Sequence, residues 1–145
     1  MVSRSGVGTP GSWERDRTEA ARVARLATVR PDGRPHVVPI TFALHDTVVV
    51  TAVDSKPKRT TRLQRLRNIA AQPAVSVLVD SYDEDWSRLW WVRLDGLAEV
   101  VSDADRREEC LATLVEKYAH YRQLPPAGPV IAVRLVSWAS WTAAG

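Results

Sequence analysis

Residues 24–40 read ARLATVRPDGRPHVVPI, and this stretch decides the predicted fold. Two apolar runs flank Pro31-Asp32-Gly33, where proline presets one backbone dihedral and glycine accepts positive φ, as a tight turn requires. A turn between two apolar runs is typical of a β-hairpin. The stretch therefore predicts antiparallel strands near 24–30 and 35–44.

Four further segments have the composition of strands. Residues 47–53 are almost all β-branched, which favours a strand buried on both faces. Residues 74–81 alternate valine with polar side chains, which is the usual pattern of a strand. The other two segments are longer and lie at about 89–101 and 130–141. Together with the hairpin, these segments predict about six strands.

Three helices are predicted before or between the strands. They lie at about 13–22, at 55–70, and from Ser102 or Asp103 to about 118, where two prolines soon follow. Most strands are joined by hairpins, and the sequence has no regular alternation of strand and helix. These features predict a mainly β (α+β) antiparallel barrel rather than a doubly wound sheet.

Length and composition favour one compact domain. The chain has 145 residues, of which 45% are hydrophobic and 26% are charged. We expect residues 1–12 to be flexible, because they carry Ser, Gly and Pro without apolar periodicity, and residues 13–145 to form the domain. No apolar run is long enough for a membrane span or a signal peptide, so we expect a cytoplasmic protein that does not bind membranes.

The segment Ser55-Lys56-Pro57-Lys58-Arg59-Thr60-Thr61-Arg62 opens the second predicted helix, with Ser55 as N-cap. Four cations at a helix end that is already positive go against the local electrostatics. A bound phosphate would resolve this conflict through free backbone N–H groups and cationic side chains. The alternatives are a solvated basic face and a nucleic-acid site. Nucleic acid is disfavoured because no aromatic residue lies between residues 55 and 72.

The sequence lacks the motifs of common metal sites and of common catalytic sites. His36, His45 and His120 have no Cys or carboxylate partners at ligand spacing, so no metal site is predicted. The single cysteine, Cys110, lies in a helical pattern and is predicted to be a buried apolar residue. Nucleophile elbows, Walker loops and dinucleotide-binding glycine patterns are absent too, so no catalytic side chain is assigned. If the protein is an enzyme, a bound organic cofactor carries the reaction.

Several segments follow one another in the order that one known family shows. They are 24–33, 35–40, Lys56-Pro57-Lys58-Arg59 to Asn68-Ile69, Pro73-Ala74-Val75-Ser76, Arg93-Leu94-Asp95-Gly96-Leu97-Ala98 and Lys117-Tyr118. In these segments the chain resembles the pyridoxamine-phosphate-oxidase-like split β-barrels, over about Ala20 to Trp141. Within that superfamily it is most similar to the actinobacterial branch that uses coenzyme F420, a deazaflavin with a phosphate and an oligoglutamate tail.

The resemblance implies a homodimer with a cofactor groove between subunits. It places the cofactor phosphate against Lys56, Lys58, Arg59 and Arg62, and Ser55, the predicted helix cap, joins them as a cofactor contact. It places the ring system along the preceding strands, at Val38, Pro39, Ile40, Thr41, Thr51, Ala52 and Val53. Coenzyme F420 is favoured over FMN because its tail adds several carboxylates, which suit an excess of cations. Haem ranks third.

The resemblance also implies an oxidoreductase that transfers a hydride from reduced deazaflavin to a conjugated apolar small molecule. Six tryptophans beside one phenylalanine are an unusual choice, and most are expected in the core or the dimer interface. The functional alternative is a lid over 83–91, in which Trp86, Arg88 and Trp90 line a substrate pocket. The alternative functions are an FMN-binding member of the family and a non-catalytic cofactor carrier. Nucleic acid is not an expected partner.

Overall fold

The computed structural model describes the backbone of residues 1–53 and 59–144, and the side chains of residues 1–53 and 64–144. The strands in the described chain are Val2–Val7 (β1), Ala24–Val29 (β2), Pro35–Ile40 (β3), Ala43–His45 (β4), Val48–Ala52 (β5), Ala74–Ser81 (β6), Trp90–Val100 (β7) and Val130–Thr142 (β8). The helices are Ser12–Ala20 (α1), Arg59–Ala71 (α2), Ala104–Lys117 (α3) and Ala119–Gln123 (α4), with a short 3-10 helix at Trp86–Arg88.

The strands form one antiparallel sheet that curls into a half-barrel. Its order is β3-β2-β6-β7-β8-β5-β4. The long strand β8 pairs with β7 along one edge, and its other edge is shared by β5 and β1. This architecture confirms the predicted α+β split-barrel class. The described strands number eight rather than six, because β1 was not predicted and the second hairpin strand is divided into β3 and β4.

The hairpin of β2 and β3 forms as predicted, with a register from Ala24↔Ile40 to Val29↔Pro35. Its turn is closed by a hydrogen bond from the Arg30 N–H to the Arg34 carbonyl (2.8 Å), and Gly33 has a φ of 91°. Glycine adopts this left-handed conformation without steric cost.

The second hairpin strand ends at Ile40 instead of continuing to residue 44, which corrects the predicted boundary. After Ile40 the chain no longer pairs with β2, because Phe42 turns into the core. Phe42 is fully buried, and its N–H donates a hydrogen bond to the Tyr118 hydroxyl at 3.1 Å. The next residues, Ala43–His45, then pair with β5. As predicted, β5 is buried on both faces, with Val49, Val50, Thr51 and Ala52 all at most 8% exposed.

The N-terminal segment, for which no strand was predicted, contains one. Strand β1 pairs with β8 from Val2↔Thr142 to Val7↔Ser137, so its backbone groups are satisfied by the sheet even though its side chains are mostly polar. Glu14 on α1 is completely buried and accepts a hydrogen bond from the Ser140 hydroxyl at 3.0 Å. Arg4 on β1 reaches the same carboxylate, with Nε 3.4 Å from Oε2. An ion pair between the half-exposed Arg4 and the buried Glu14 therefore joins β1 to the domain.

The barrel interior is filled by branched aliphatic side chains. Leu26, Val77, Val92 and Val133 have no solvent exposure. Helix α2 packs on this core through Ile69, and the adjacent Asn68 donates from Nδ2 to the buried Thr28 hydroxyl at 2.9 Å.

Helix α3 covers a second apolar cluster against β5 and β8. Leu114 and Cys110 are buried there, as predicted for the cysteine. Asp103, one of the two predicted caps, precedes the helix, and its side chain accepts a hydrogen bond from the Arg106 N–H at 2.9 Å. No helix in the described part of the chain is both long enough and apolar enough to cross a membrane.

Candidate functional site

A cleft of about 480 Å³ is lined on one side by residues at the ends of β3 and β5. Strand β5 pairs with β8 along one edge, whereas β4 covers its other edge only over Val48–Val50. Past that point, the end of β5 faces the end of β3. The strand wall of the cleft consists of six residues that the sequence analysis had singled out: Pro39, Ile40, Thr41, Thr51, Ala52 and Val53.

The opposite wall comes from helices. Tyr118 ends α3 and begins α4, so Tyr118, His120 and Tyr121 all lie at the cleft where the chain turns. The two tyrosine rings pack edge to face, with their centroids 5.5 Å apart. Arg65 on α2 completes the lining and brings a cation to it.

A pair of hydroxyl groups spans the cleft. Thr41 Oγ1 and Tyr121 Oη lie 2.6 Å apart, so one hydroxyl donates to the other. The pair has two protons, and the second has no acceptor among the described side chains. Thr51 Oγ1 donates at 2.7 Å to the Thr41 carbonyl and fixes the position of Thr41. Within the described residues, the pair therefore keeps one hydrogen-bond donor that can face a ligand.

Tyr118 uses its hydroxyl for hydrogen bonds within the protein. Its hydroxyl accepts from the Phe42 N–H, and its proton faces two carbonyl oxygens, of Arg22 at 2.9 Å and of Phe42 at 3.0 Å. Burial is the main reason that the pKa of Tyr118 is raised, so this phenol is neutral at physiological pH.

The neighbouring Lys117 is unusual because its amine is buried against aromatic rings. Its Nζ lies 3.9 Å from the centroid of the Phe42 ring and 5.4 Å from that of Tyr118. Burial, followed by the charge of Arg22, lowers the pKa of Lys117 to about 8. A cation–π contact compensates only part of the lost hydration.

The predicted phosphate site is only partly within the described chain. Ser55, Lys56 and Lys58 lie outside the described residues, as do the side chains of Arg59 and Arg62. Helix α2 begins at Arg59 and contributes Arg65 to the cleft. Helix α2, whose first residues belong to the basic segment, therefore reaches the cleft.

The predicted substrate-pocket residues lie elsewhere within one chain. Trp86 is 68% exposed, and Arg88 Nε lies 3.4 Å from an Asp83 carboxylate oxygen. Trp90 pairs with Thr142, at the opposite end of β8 from Val130, which pairs with Ala52 beside the cleft. The structure therefore does not bring Trp86, Arg88 and Trp90 to the cleft.

Sequence reasoning missed the helical wall. Arg65, Tyr118, His120 and Tyr121 line the cleft but were not among the predicted cofactor contacts, and Val38 was included although it does not line the cleft. The one available signal was Lys117-Tyr118, which belongs to the segments that carry the family resemblance.

The residues present fit a flat, partly polar ring system with an anionic group. The volume lies within the range of about 300–1,000 Å³ that is usual for small-molecule sites. Pro39, Ile40, Ala52 and Val53 give an apolar surface, while the hydroxyl pair and Arg65 give a donor and a positive charge. Among residues 1–53 and 64–144, no three His, Cys, Asp or Glu side chains cluster as metal ligands would.

Solved structures share this fold. An F420 reductase is 30% identical, with a TM-score of 0.65, and the match covers 90% of this chain and 98% of that one. An FAD-binding protein from Mesorhizobium loti is 23% identical, with a TM-score of 0.65 and coverages of 98% and 100%. A heme binding protein from Mycobacterium smegmatis is 24% identical, with a TM-score of 0.65 and coverages of 93% and 59%. No match is found among curated proteins.

The sequence also matches a family model, that of pyridoxamine 5'-phosphate oxidase, over residues 14–142. This range contains every strand from β2 to β8 and every residue that lines the cleft. Because the matched range takes in nearly the whole sheet together with its cleft, the chain belongs to the pyridoxamine 5'-phosphate oxidase family.

Proposed function

We propose that this protein is a coenzyme F420-dependent oxidoreductase that transfers a hydride to a conjugated, apolar small molecule. The observation that carries the proposal is the cleft, in which an apolar strand wall meets a hydroxyl pair and a helix that follows a basic segment. The likeness to an F420 reductase, at 30% identity, supports a deazaflavin. The reduced cofactor, when bound, supplies the hydride.

The chain's own residues would hold and orient the ring. Ile40, Ala52 and Val53 present apolar surface to its face and keep water away from it. The spare proton of the Thr41 and Tyr121 pair suits a polar atom on the ring edge. With no acid or base assigned among the side chains, positioning is the main contribution of the protein to the rate.

The basic segment would hold the cofactor phosphate. Lys56, Lys58, Arg59 and Arg62, together with Ser55, would provide charge-assisted donors near the first residues of α2. Arg65 lies one helical turn after Arg62 in sequence and extends this positive charge to the cleft. The acidic tail of F420 gains more from such an excess of cations than FMN does.

The test of the phosphate site is the double variant Lys58→Ala with Arg59→Ala. Losing two charge-assisted hydrogen bonds should weaken F420 binding by roughly two to four orders of magnitude, measured by calorimetry. The control is Arg67→Ala with Arg134→Ala, which removes the same charge from exposed positions outside the cleft. A double variant that stays folded and binds F420 within about threefold of wild type contradicts the assignment.

The choice of cofactor is tested by titrating F420 and FMN at two salt concentrations. We expect F420 to bind more tightly, with a margin that shrinks as salt screens the exposed charges. Equal or tighter FMN binding would instead identify an FMN-binding member of the family. Turnover with chemically reduced F420 and an enone or quinone acceptor separates an oxidoreductase from a non-catalytic carrier.

A homodimer is part of the proposal. An apolar groove crosses the sheet beside Val29, Pro35, Leu97 and Val136, and Leu97 and Val136 are 40% and 41% exposed. A second copy of the chain would remove this surface from water. Light scattering should give about twice the chain mass of 16.1 kDa. A monomer at micromolar concentration contradicts the dimer.

A further inference from the structure

A second pocket, of about 380 Å³, lies at the far end of β8 from the cleft. Thr142 is at its base and pairs with Val2 of β1 on one side and with Trp90 of β7 on the other. The remaining wall comes from Arg4 on β1 and from Trp13 and Arg17 on α1. The pocket is therefore complete only because β1 is attached to the sheet.

Two indole rings meet at nearly a right angle in this pocket. The planes of Trp13 and Trp90 are inclined by 78°, with ring centroids 6.5 Å apart. A flat aromatic ring placed in such a corner stacks on one indole and meets the other edge to face, and both arrangements are favourable. An aliphatic group can be buried in the corner but gains neither aromatic arrangement. The corner therefore favours planar aromatic rings.

The two arginines of the pocket differ in their charge balance. Arg4 lies over the Trp138 ring at 5.8 Å and forms an ion pair with the buried Glu14 at 3.4 Å. Arg17 lies over the face of Trp90 at 5.5 Å, and within the described residues its side chain has no carboxylate partner. A guanidinium held over a ring at this distance keeps N–H groups that can donate to an oxygen acceptor.

We propose that this pocket binds a small planar aromatic carboxylate, with the ring in the corner of Trp13 and Trp90 and the carboxylate on Arg17. One uncompensated cation favours a monoanion over a dianion, because Arg4 is already paired with Glu14. The volume accommodates a molecule of one or two fused rings. The site is separate from the cleft and does not depend on the function proposed for it.

The test uses 1-naphthoate as the probe, titrated into the full chain by calorimetry, with the uncharged 1-naphthamide and the non-aromatic cyclohexanecarboxylate as controls. We expect naphthoate to bind at least about tenfold more tightly than naphthamide, because the amide lacks the charge and a charge-assisted hydrogen bond contributes one to two orders of magnitude. It should also bind several-fold more tightly than cyclohexanecarboxylate, which keeps the carboxylate but loses the aromatic contacts. In an NMR spectrum, the indole N–H signals of Trp13 and Trp90 should shift, assigned through Trp13→Phe and Trp90→Phe. Saturating F420 should leave naphthoate binding unchanged.

Arg17→Gln should weaken naphthoate binding about tenfold or more, because it keeps the stem and removes the charge. Arg15→Gln is the matched control, since Arg15 lies on the same helix but pairs with Glu19 at 2.9 Å and is outside the pocket. Its affinity for naphthoate should stay within about twofold of wild type. Naphthamide binding as tightly as naphthoate, equal effects of the two substitutions, or displacement of naphthoate by F420 would each overturn the proposal.

Discussion

The hydroxyl groups of Thr41 and Tyr121, which are 80 positions apart in sequence, lie 2.6 Å from each other across the cleft. Tyr121→Phe removes this bond and the spare proton while keeping the ring. We expect the free energy of unfolding to fall by about 0.5–1.5 kcal/mol, and the affinity for F420 to fall by up to about tenfold. Denaturant unfolding and fluorescence titration measure the two effects.

The control for this substitution is Tyr82→Phe, because Tyr82 is 68% exposed and lies outside the cleft. It should change neither stability nor affinity beyond about 0.5 kcal/mol. A Tyr121→Phe protein that behaves like this control would show that the hydroxyl pair does not contribute to the cleft.

Gly128 packs closely against the backbone of a residue that lines the cleft. A Cβ atom at this position would lie 2.5 Å from the carbonyl oxygen of Val53, which lines the cleft. Gly128→Ala must therefore displace the Val53 backbone, at a cost of about 1–3 kcal/mol in stability, together with weaker cofactor binding. Thermal unfolding and cofactor titration measure these effects.

Gly11→Ala provides the comparison, because a Cβ at Gly11 has no atom within 4 Å. Gly11 precedes α1 as its N-cap, so a cost below about 1 kcal/mol is expected from capping alone. If Gly128→Ala costs no more than this, the contact with Val53 does not determine the shape of the cleft.

The buried hydrogen bond between Asn68 and Thr28 joins α2 to the sheet. Asn68→Ala leaves the Thr28 hydroxyl without this partner, and we expect a loss of about 1–3 kcal/mol in the free energy of unfolding. Thr28→Val removes the other side of the same bond. In a double-mutant cycle the two losses should be less than additive, with a coupling of about 0.5–3 kcal/mol. Additive losses would mean that the pair does not interact energetically.

Lys117 should make stability depend on pH. Its pKa falls from 10.5 to about 8 on folding, so at pH values between these the unfolded chain binds more protons than the folded one. Stability therefore rises with pH across this window, and below pH 8 the folded state bears the cost of a buried charge. We expect wild type to gain stability relative to Lys117→Met between about pH 7.5 and pH 10. Parallel unfolding curves for the two proteins across this range would contradict the shift.

Local patterns predicted most of the sheet. The hairpin of β2 and β3 was predictable because Pro31 and Gly33 specify a turn, and the β-branched composition of 47–53 specified a buried strand. Strand β1 was not, since Val2–Val7 contains serine, arginine and glycine and is ordered only by pairing with β8. Its tertiary contacts override a weak local preference.

The site was predictable on one side only. Pro39 to Thr41 and Thr51 to Val53 were identified through the family resemblance, and the structure places both stretches at the cleft. Tyr121 was not identified, because its proximity to Thr41 arises from the return of α3 and α4 across the sheet rather than from any spacing in the sequence. Trp90 was predicted to line a substrate pocket because the sequence is unusually rich in tryptophan, but the structure places it at the other end of β8.

Through Arg4, the first few residues supply the positive charge that pairs with the buried Glu14 carboxylate. A chain shortened to begin at residue 8 would lose the cation from β1 and leave Glu14 with the Ser140 hydroxyl as its described hydrogen-bond partner. An interior carboxylate that loses its charged partner destabilises the folded state. Shortening the N-terminus would therefore lower the stability of the whole domain, although the segment removed contributes no residue to the apolar core.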